Sequence, residues 1–318
     1  MKSIFDGAKL GGLTLKNRIF RSATWLGAAD DDGNLNAGIY KIYRAIAAGG
    51  VGAIVTGITT ISPHDALIDG IAQFHDDKFI PQHKILTDAV HKFGAKIFLQ
   101  AALVDSVFPI DGELYRVPIN QLTAENISEV VELFKAATAR ATAAGYDGIQ
   151  IHAAHGFFLS QYIYHDVKIL GDILDAIHEI DKNFCVIAKI NGENCLAACE
   201  LMSKHGLDAA EISGDYTSRD AAPYVNEAYF KNFALAVKNA LPDLPIILVG
   251  GHRSFEEMNN LLNTTAIEFL SMSRPLIREP ELLNRWKSGD LRPSACISCN
   301  SCYRTPNHAC IFNLRRRN

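Results

Sequence analysis

Two groups of residues carry side chains that can do chemistry. The first is residues 148–156, Gly-Ile-Gln-Ile-His-Ala-Ala-His-Gly, followed by Phe157 and Phe158. Its first half alternates apolar residues at strand spacing, and its second half delivers two imidazoles, His152 and His155, three residues apart. Imidazoles can donate hydrogen bonds to an anion, move a proton or bind a metal. A strand that hands such side chains to a loop at its carboxyl end is a common way for an α/β protein to build a site. One histidine is easily a satisfied core residue, whereas a pair at a strand end is harder to explain that way. The second group is Cys296, Cys299, Cys302 and Cys310 near the carboxyl end. Four thiols this close together can form a tetrahedral site for zinc or an Fe–S cluster; otherwise they are free thiols. Cys185, Cys195 and Cys199 stand in apolar surroundings and read as packing residues.

The elements that must position these residues alternate from end to end. Strand-like runs cover residues 18–24, 52–59, 95–101, 148–153, 185–190, 209–213, 245–250 and 266–273. Helical patterns cover 36–48, 79–93, 123–144, 169–180, 197–204, 226–241, 254–262 and 280–287. The clearest is 123–144, where Ile127, Val130, Val131, Phe134, Ala137 and Ala141 recur at helical spacing between a capping Thr123 and Gly145. Repeated βα units without a Pro-, Gly- or Ser-rich linker predict an α/β fold, a (β/α)8 TIM barrel occupying the whole of 1–318 as one domain, with a cysteine-rich tail from about 293. A closed barrel gives every buried strand two neighbours.

Composition narrows the function classes. The 318 residues are 48% hydrophobic, with a net charge of −4 and a pI near 6.3, so nothing favours nucleic acid or an anionic membrane. The one basic run, Arg315-Arg316-Arg317, reads as a solvated tail. No apolar stretch has membrane-spanning length, and the amino end lacks a signal-peptide core, so a cytoplasmic protein is expected. Seven cysteines in a reducing compartment argue for thiols or a metal rather than disulfides.

Parallel barrel strands end at one mouth. The order places there Ser22, Ala23, Thr24 and Trp25 from the first strand, Gly57 from the second, Gln100 from the third, and His152 and His155 from the fourth. Lys189 comes from the fifth, Ser213 and Gly214 from the sixth, Gly250 and Gly251 from the seventh, and Ser273 and Arg274 from the eighth. Glycines that allow close backbone approach, next to an Arg, suit a phosphate at the last two strands, although a Gly pair is also an ordinary tight turn.

On these residues the sequence resembles the old yellow enzyme family of FMN-dependent oxidoreductases, from Leu13-Thr14-Leu15-Lys16-Asn17-Arg18-Ile19, through 144–156, to Ser271-Met272-Ser273-Arg274-Pro275-Leu276-Ile277. The resemblance implies FMN held noncovalently. Ser22, Ala23 and Thr24 would flank its ribityl chain and ring; Gly57 and Gln100 would face the pyrimidine; Lys189 would take the place of the usual Arg near N1; Gly250, Gly251, Ser273 and Arg274 would hold the phosphate. His152 and His155 match the pair that anchors a substrate oxygen. Reduced flavin gathers negative charge near N1 and O2, which a cation at Lys189 would favour. Two imidazole donors on a carbonyl or nitro oxygen would stabilise the charge that develops as hydride reaches the β-carbon.

Several positions depart from the family pattern. Phe157 stands where relatives carry the proton-donating Tyr, which leaves Tyr162, Tyr164 or water to supply the proton, or alkene reduction impaired. Trp25 replaces a smaller residue beside the flavin, and Gln100-Ala101-Ala102-Leu103 lacks the usual His, so the substrate pocket, with Trp25 and Phe157, is rebuilt. The long loop expected after Gln161-Tyr162 is absent, leaving a short, open lid or a stretch shortened from its natural form. Larger relatives of the dienoyl-CoA reductase type place a 4Fe–4S cluster on cysteines like these and continue into FAD and NAD(P) domains. This sequence ends at Asn318, so no internal electron donor is expected.

The leading expectation is an enzyme that takes hydride from NADH or NADPH through FMN to a small-molecule acceptor, an activated alkene, quinone or similar compound; whether it is a homo-oligomer is left open. The alternative is a flavin-binding or redox-sensing protein with little alkene reductase activity. A metal-dependent hydrolase built on His152 and His155 has little help, since no Asp or Glu accompanies the pair at that strand end.

Overall fold

The structure, a computed structural model, describes residues 1–65, 69–214, 222 and 224–314. Among them, eight parallel strands close a barrel: β1 (Ile19–Arg21), β2 (Ala53–Val55), β3 (Lys96–Ala102), β4 (Gly148–Ala153), β5 (Cys185–Asn191), β6 (Ala209–Ser213), β7 (Ile246–Val249) and β8 (Phe269–Met272). Each pairs with its neighbours in sequence; β8 pairs with β1, and β3 with β4 completes the circle. Helices follow the strands: α1 (Ala37–Ala48), α2 (Ile80–His91), α3 (Ala124–Ala143), α4 (Ile169–Ile180), α5 (Cys195–Lys204), α6 (Lys231–Ala240), α7 (Phe255–Thr264) and α8 (Leu282–Lys287). This is the expected (β/α)8 barrel. Among the described residues no helix is long and apolar enough to cross a membrane.

Strand alternation sorts the side chains into two cores. Outward residues such as Ile54, Ile97, Leu99, Ile149, Ile151, Val186, Ile212 and Leu248 pack with the helices in one large cluster. Inward residues Phe20, Val55, Phe98, Ile187, Ile247 and Phe269 form a separate floor inside the barrel, joined by Leu10 and Leu15 from a hairpin of Ala8–Leu10 and Leu13–Leu15. Phe20 touches Phe98 and Phe269 with ring centroids 6.0 and 5.5 Å apart. One step further toward the carboxyl ends, the inward positions turn polar: Ser22, Gln100, Gln150, Lys189 and Glu211, all buried. Polar groups at that depth must find partners, and they find one another.

Helix α3 starts as its sequence demands: the Thr123 hydroxyl accepts from the Asn126 N–H and the Asn126 side chain accepts from the Thr123 N–H, a capping box. Two elements differ most from expectation. The second strand breaks after Val55, because Gly57 folds under the first strand's end: its N–H donates to the Tyr43 hydroxyl at 2.6 Å, and a Cβ there would sit 2.6 Å from the Thr24 carbonyl oxygen. Pairing resumes at Thr59–Thr60, beside Ala101 and Ala102. Helix α6 begins at Lys231 rather than 226, since Ala228 takes a left-handed φ of 56° and the Glu227 carboxylate is drawn to the start of α7, accepting from the N–H groups of Arg253 at 2.7 Å and Ser254 at 3.1 Å. The chain from Tyr224 to Phe230 thereby lies against the mouth instead of extending the helix.

The cysteine tail is pinned to the barrel. Ala295 N–H and the Ser294 hydroxyl donate to Glu279, the Trp286 indole donates to the Arg292 carbonyl at 3.0 Å, and Asn313 bonds Arg278. The expected basic tail, Arg315 to Arg317, lies outside the described residues.

Candidate active site

At the carboxyl ends of the strands lies a cavity of about 610 Å³. That size falls within the usual range for small-molecule and cofactor sites. Its wall includes Ser22, Ala23, Thr24, Trp25, His155, Lys189, Ser213, Gly250, Gly251, Ser273 and Arg274, all placed at the mouth from sequence order. It also includes Tyr229, Arg253 and Tyr303, which were not.

On one side the Lys189 ammonium donates to the Ser22 hydroxyl at 2.8 Å and stands 3.2 Å from Glu211. Ser22 in turn donates to Glu211 at 2.8 Å, and Gln150 donates to the other carboxylate oxygen at 2.7 Å. Gln100 donates to the Gln150 carbonyl at 2.9 Å. Burial opposes the charge on Glu211, but the ammonium of Lys189 and the hydrogen bonds from Ser22 and Gln150 outweigh it and hold the carboxyl below its ordinary range. Glu211 is therefore ionised and buried, with both carboxylate oxygens accepting hydrogen bonds. Glu211 carries a signal in the sequence comparable to that of Lys189: a lone ionisable residue in the short apolar strand Ala209–Ser213.

The histidines are adjacent, with ring centroids 5.2 Å apart. His155 is on the cavity wall; its Nε2 lies 3.0 Å from the Ser213 hydroxyl, and its N–H donates to Asn191 at 3.1 Å. It adopts a φ of 62°, a left-handed conformation that costs a non-glycine residue about 1–3 kcal/mol and persists only where surroundings enforce it. His152 is buried beside it, and its Nδ1 accepts from the Ala154 N–H at 3.3 Å. A backbone N–H can only donate, so a neutral His152 carries its proton on Nε2. Burial, then the nearness of His155 and Lys189, pushes its pKa well down, so it is a neutral donor.

At the other side Gly250 and Gly251 have φ values of 128° and 80°, which glycine adopts without strain. The Tyr229 ring covers them so closely that a Cβ on Gly251 would lie 2.9 Å from it. Arg253 and Arg274 border this end, and Ser273 shares a hydrogen bond of 2.7 Å with Thr24. Arg253 bonds the His252 and Cys296 carbonyls and the Ser298 hydroxyl, while Arg274 bonds Asn300. The tail thus forms part of the site.

The remaining expected residues are placed as follows. Gln100 and Gly57 are not on the wall of this cavity; Gln100 is linked through Gln150 and Glu211 to Ser22 and Lys189, which are, and Gly57 borders a small apolar crevice shared with Trp25. Trp25 packs edge-on against His308 of the tail at 5.0 Å. Phe157 tilts against His152 at 5.0 Å and packs with Ile58, Ile71, Ala102 and Val104. Tyr162 is buried and stacked on Phe158, and Tyr164 is 63% exposed; neither lines the cavity. Cys296, Cys299, Cys302 and Cys310 border one small cavity with Arg274 and Arg278. Among the described residues, however, no three His, Cys, Asp or Glu side chains are placed to hold a metal ion. As arranged, the thiols do not fit zinc or an Fe–S cluster.

A flavin nucleotide does fit. The cavity joins a buried cation and hydrogen-bonding chain at one side to paired glycines and two guanidiniums at the other, the donor set for a polar ring system carrying a phosphate. A (β/α)8 barrel with such a mouth defines the class of flavin-type oxidoreductase barrels. Residues 3–168 match the NADH:flavin oxidoreductase / NADH oxidase family, and the chain belongs to it, an old yellow enzyme family member. It is 28% identical to a metal reductase of Desulforamulus reducens over 94% of the chain and 51% of that protein, so it spans about half the length of this relative. It is 25% identical to an NADPH dehydrogenase of Clostridium acetobutylicum, covering 87% of the chain and 92% of the relative. The old yellow enzyme homologue of Zymomonas mobilis superposes with a TM-score of 0.71 at 19% identity, covering 94% of this chain and 96% of that one, which speaks to the fold.

Proposed function

We propose that the chain binds FMN in this cavity and passes hydride from NADH or NADPH to an activated alkene, quinone or similar small acceptor. The observation that carries the reading is the buried Lys189–Glu211–Ser22 cluster beneath a wall bearing His155, facing paired glycines and arginines. FMN supplies two-electron storage between a nicotinamide and an acceptor that need not meet. Lys189 puts a fixed positive charge where a reduced isoalloxazine would be negative, and low local dielectric strengthens it. Gly250 and Gly251 expose backbone to a phosphate, with Ser273, Arg253 and Arg274 offering further donors. His155 on the wall and neutral His152 next to it offer imidazole N–H groups to an acceptor's oxygen without introducing a second full charge. Hydride addition to one carbon of an alkene requires a proton at the other. Phe157 cannot give one; Tyr229 and Tyr303 are the phenols on the wall, with water as the other source.

Yellow protein that is bleached anaerobically by NADH or NADPH and recoloured by an added acceptor is the expected result. Colourless protein that cannot be reconstituted with FMN overturns the reading. The packing of Phe157 among Ile58, Ile71, Ala102 and Val104 favours one second reading, a flavin-binding redox sensor with little alkene reductase activity. That reading requires bound FMN without acceptor-dependent NAD(P)H oxidation across alkenes, quinones and nitro compounds.

A further inference from the structure

A carboxylate accepts hydrogen bonds and never donates them. This one-sidedness sets the direction of a whole chain of contacts. Glu211, 1% exposed, receives the Ser22 hydroxyl at one oxygen, and the Gln150 amide and Lys189 ammonium at the other. Gln150 must therefore turn its NH₂ toward Glu211 and its carbonyl toward Gln100. Gln100, donating to that carbonyl at 2.9 Å, keeps its own Oε1 for an outside donor. Ser22 is fixed in the same way, since it accepts from Lys189 and must donate to Glu211. The orientation of both amides follows from the charge on Glu211, whichever way an amide is drawn.

We propose that Glu211 is the positioning residue of this site: one buried carboxylate clamps the Lys189 ammonium and, through Gln150, commits Gln100 to act as a hydrogen-bond acceptor. The inference rests on the flavin reading, because a flavin pyrimidine carries one imide N–H and becomes negative at the neighbouring end on reduction. An acceptor at Gln100 and a half-compensated cation at Lys189 match those two demands. A buried ion pair with only a structural role would leave both indifferent.

The test uses the full chain reconstituted with FMN, wild type against Glu211→Gln. The new amide is isosteric and neutral: its carbonyl takes over the position that accepts from Gln150 and Lys189, its NH₂ turns to the Ser22 oxygen, and the Gln150–Gln100 relay is kept. The Lys189 charge is left uncompensated. Oxidised FMN is then held about as before, whereas the ratio of reduced to oxidised affinity rises about tenfold, moving the two-electron midpoint potential up by about 30 mV. Gln150→Met cuts the relay but keeps the ion pair. It weakens oxidised FMN without the charge-driven part of the shift, and it carries the test if Glu211→Gln does not fold. An unchanged midpoint potential in Glu211→Gln, or unchanged oxidised-FMN affinity in Gln150→Met, overturns the proposal alone. Wild-type protein that takes up no FMN overturns the flavin reading beneath it.

Discussion

Arg253 donates from Nε to the Cys296 carbonyl at 3.1 Å, so the guanidinium beside Gly250 and Gly251 is also the peg that holds the cysteine tail. The same side chain reaches the Ser298 hydroxyl and the His252 carbonyl and is 1% exposed. Burial lowers its pKa, yet not enough to discharge a guanidinium. Replacing it with Met removes three charge-assisted contacts and leaves their acceptors buried. The expected loss is about 3 kcal/mol, read as a lower urea midpoint. Because the tail shares this anchor with the glycine side of the cavity, the proposed phosphate end, FMN affinity is expected to fall in the same variant. A variant with wild-type affinity and midpoint would separate the tail from the site.

The tail thiols are not equivalent, and their reactivity is predicted to follow. Hydrogen bonds from the Ser301 hydroxyl and N–H lower the pKa of Cys299, which is exposed. Burial raises that of Cys302, pushes Cys195 up to about 11, and moves Cys185 and Cys199 far above their ordinary range. The thiolate is the reactive form. Iodoacetamide at pH 7 therefore labels Cys299 first, and Cys185, Cys195 and Cys199 only on unfolding, as followed by peptide mass spectrometry. Ser301→Ala slows the Cys299 step severalfold.

The barrel was legible because parallel strands buried on both faces appear as apolar runs, and five of the eight runs fall within two residues of the observed ends. Lys189 stood out against such a run. Glu211 was equally conspicuous but has meaning only once β5 and β6 bring it beside Lys189 at matching register. The loop around Tyr229 has helical spacing of apolar residues, and its sequence gave no hint that Glu227 would be captured by the start of α7. The contact of Arg253 with the tail spans 43 residues, a distance over which periodicity carries no information. Tyr162 and Tyr164, near the histidines in sequence, are carried away from the cavity by the short helix Phe158–Tyr162 and the turn after it.

Stability should fall as the solution is acidified, and His83 is a principal cause. It is fully buried, its Nδ1 is 2.7 Å from the Tyr146 hydroxyl, and burial pushes its pKa down to about 3 from an ordinary 6.5. The unfolded chain takes up a proton below about 6.5 that the folded chain refuses until about 3. Unfolding therefore gains protons across that window, and stability present above 6.5 is lost progressively as pH falls toward 3. His152, depressed by burial in the same direction, adds to the slope. Urea midpoints at pH 7 and pH 5 measure it, and His83→Gln flattens the difference. An equal slope in that variant would assign the acid sensitivity to other groups.

Phe157 and the two histidines divide the acceptor chemistry between binding and protonation. With His155 on the cavity wall and His152 5.2 Å away as a neutral donor, replacing both with Ala removes the imidazole N–H groups while sparing the Lys189 cluster and the glycine pair. FMN stays bound and a phenol or enone ligand weakens by tenfold or more, consistent with loss of about one to two hydrogen bonds. An unchanged ligand titration would refute the anchoring role. Phe157→Tyr tests the other half: the ring already tilts against His152 at 5.0 Å, so the added hydroxyl is introduced beside the proposed acceptor anchor. Alkene reduction rises in this variant, with quinone reduction unchanged, if carbon protonation is limiting in the wild type. An equal rate for both acceptors would show that water, Tyr229 or Tyr303 already delivers the proton, and Tyr303→Phe would then lower alkene turnover selectively if that phenol is the source.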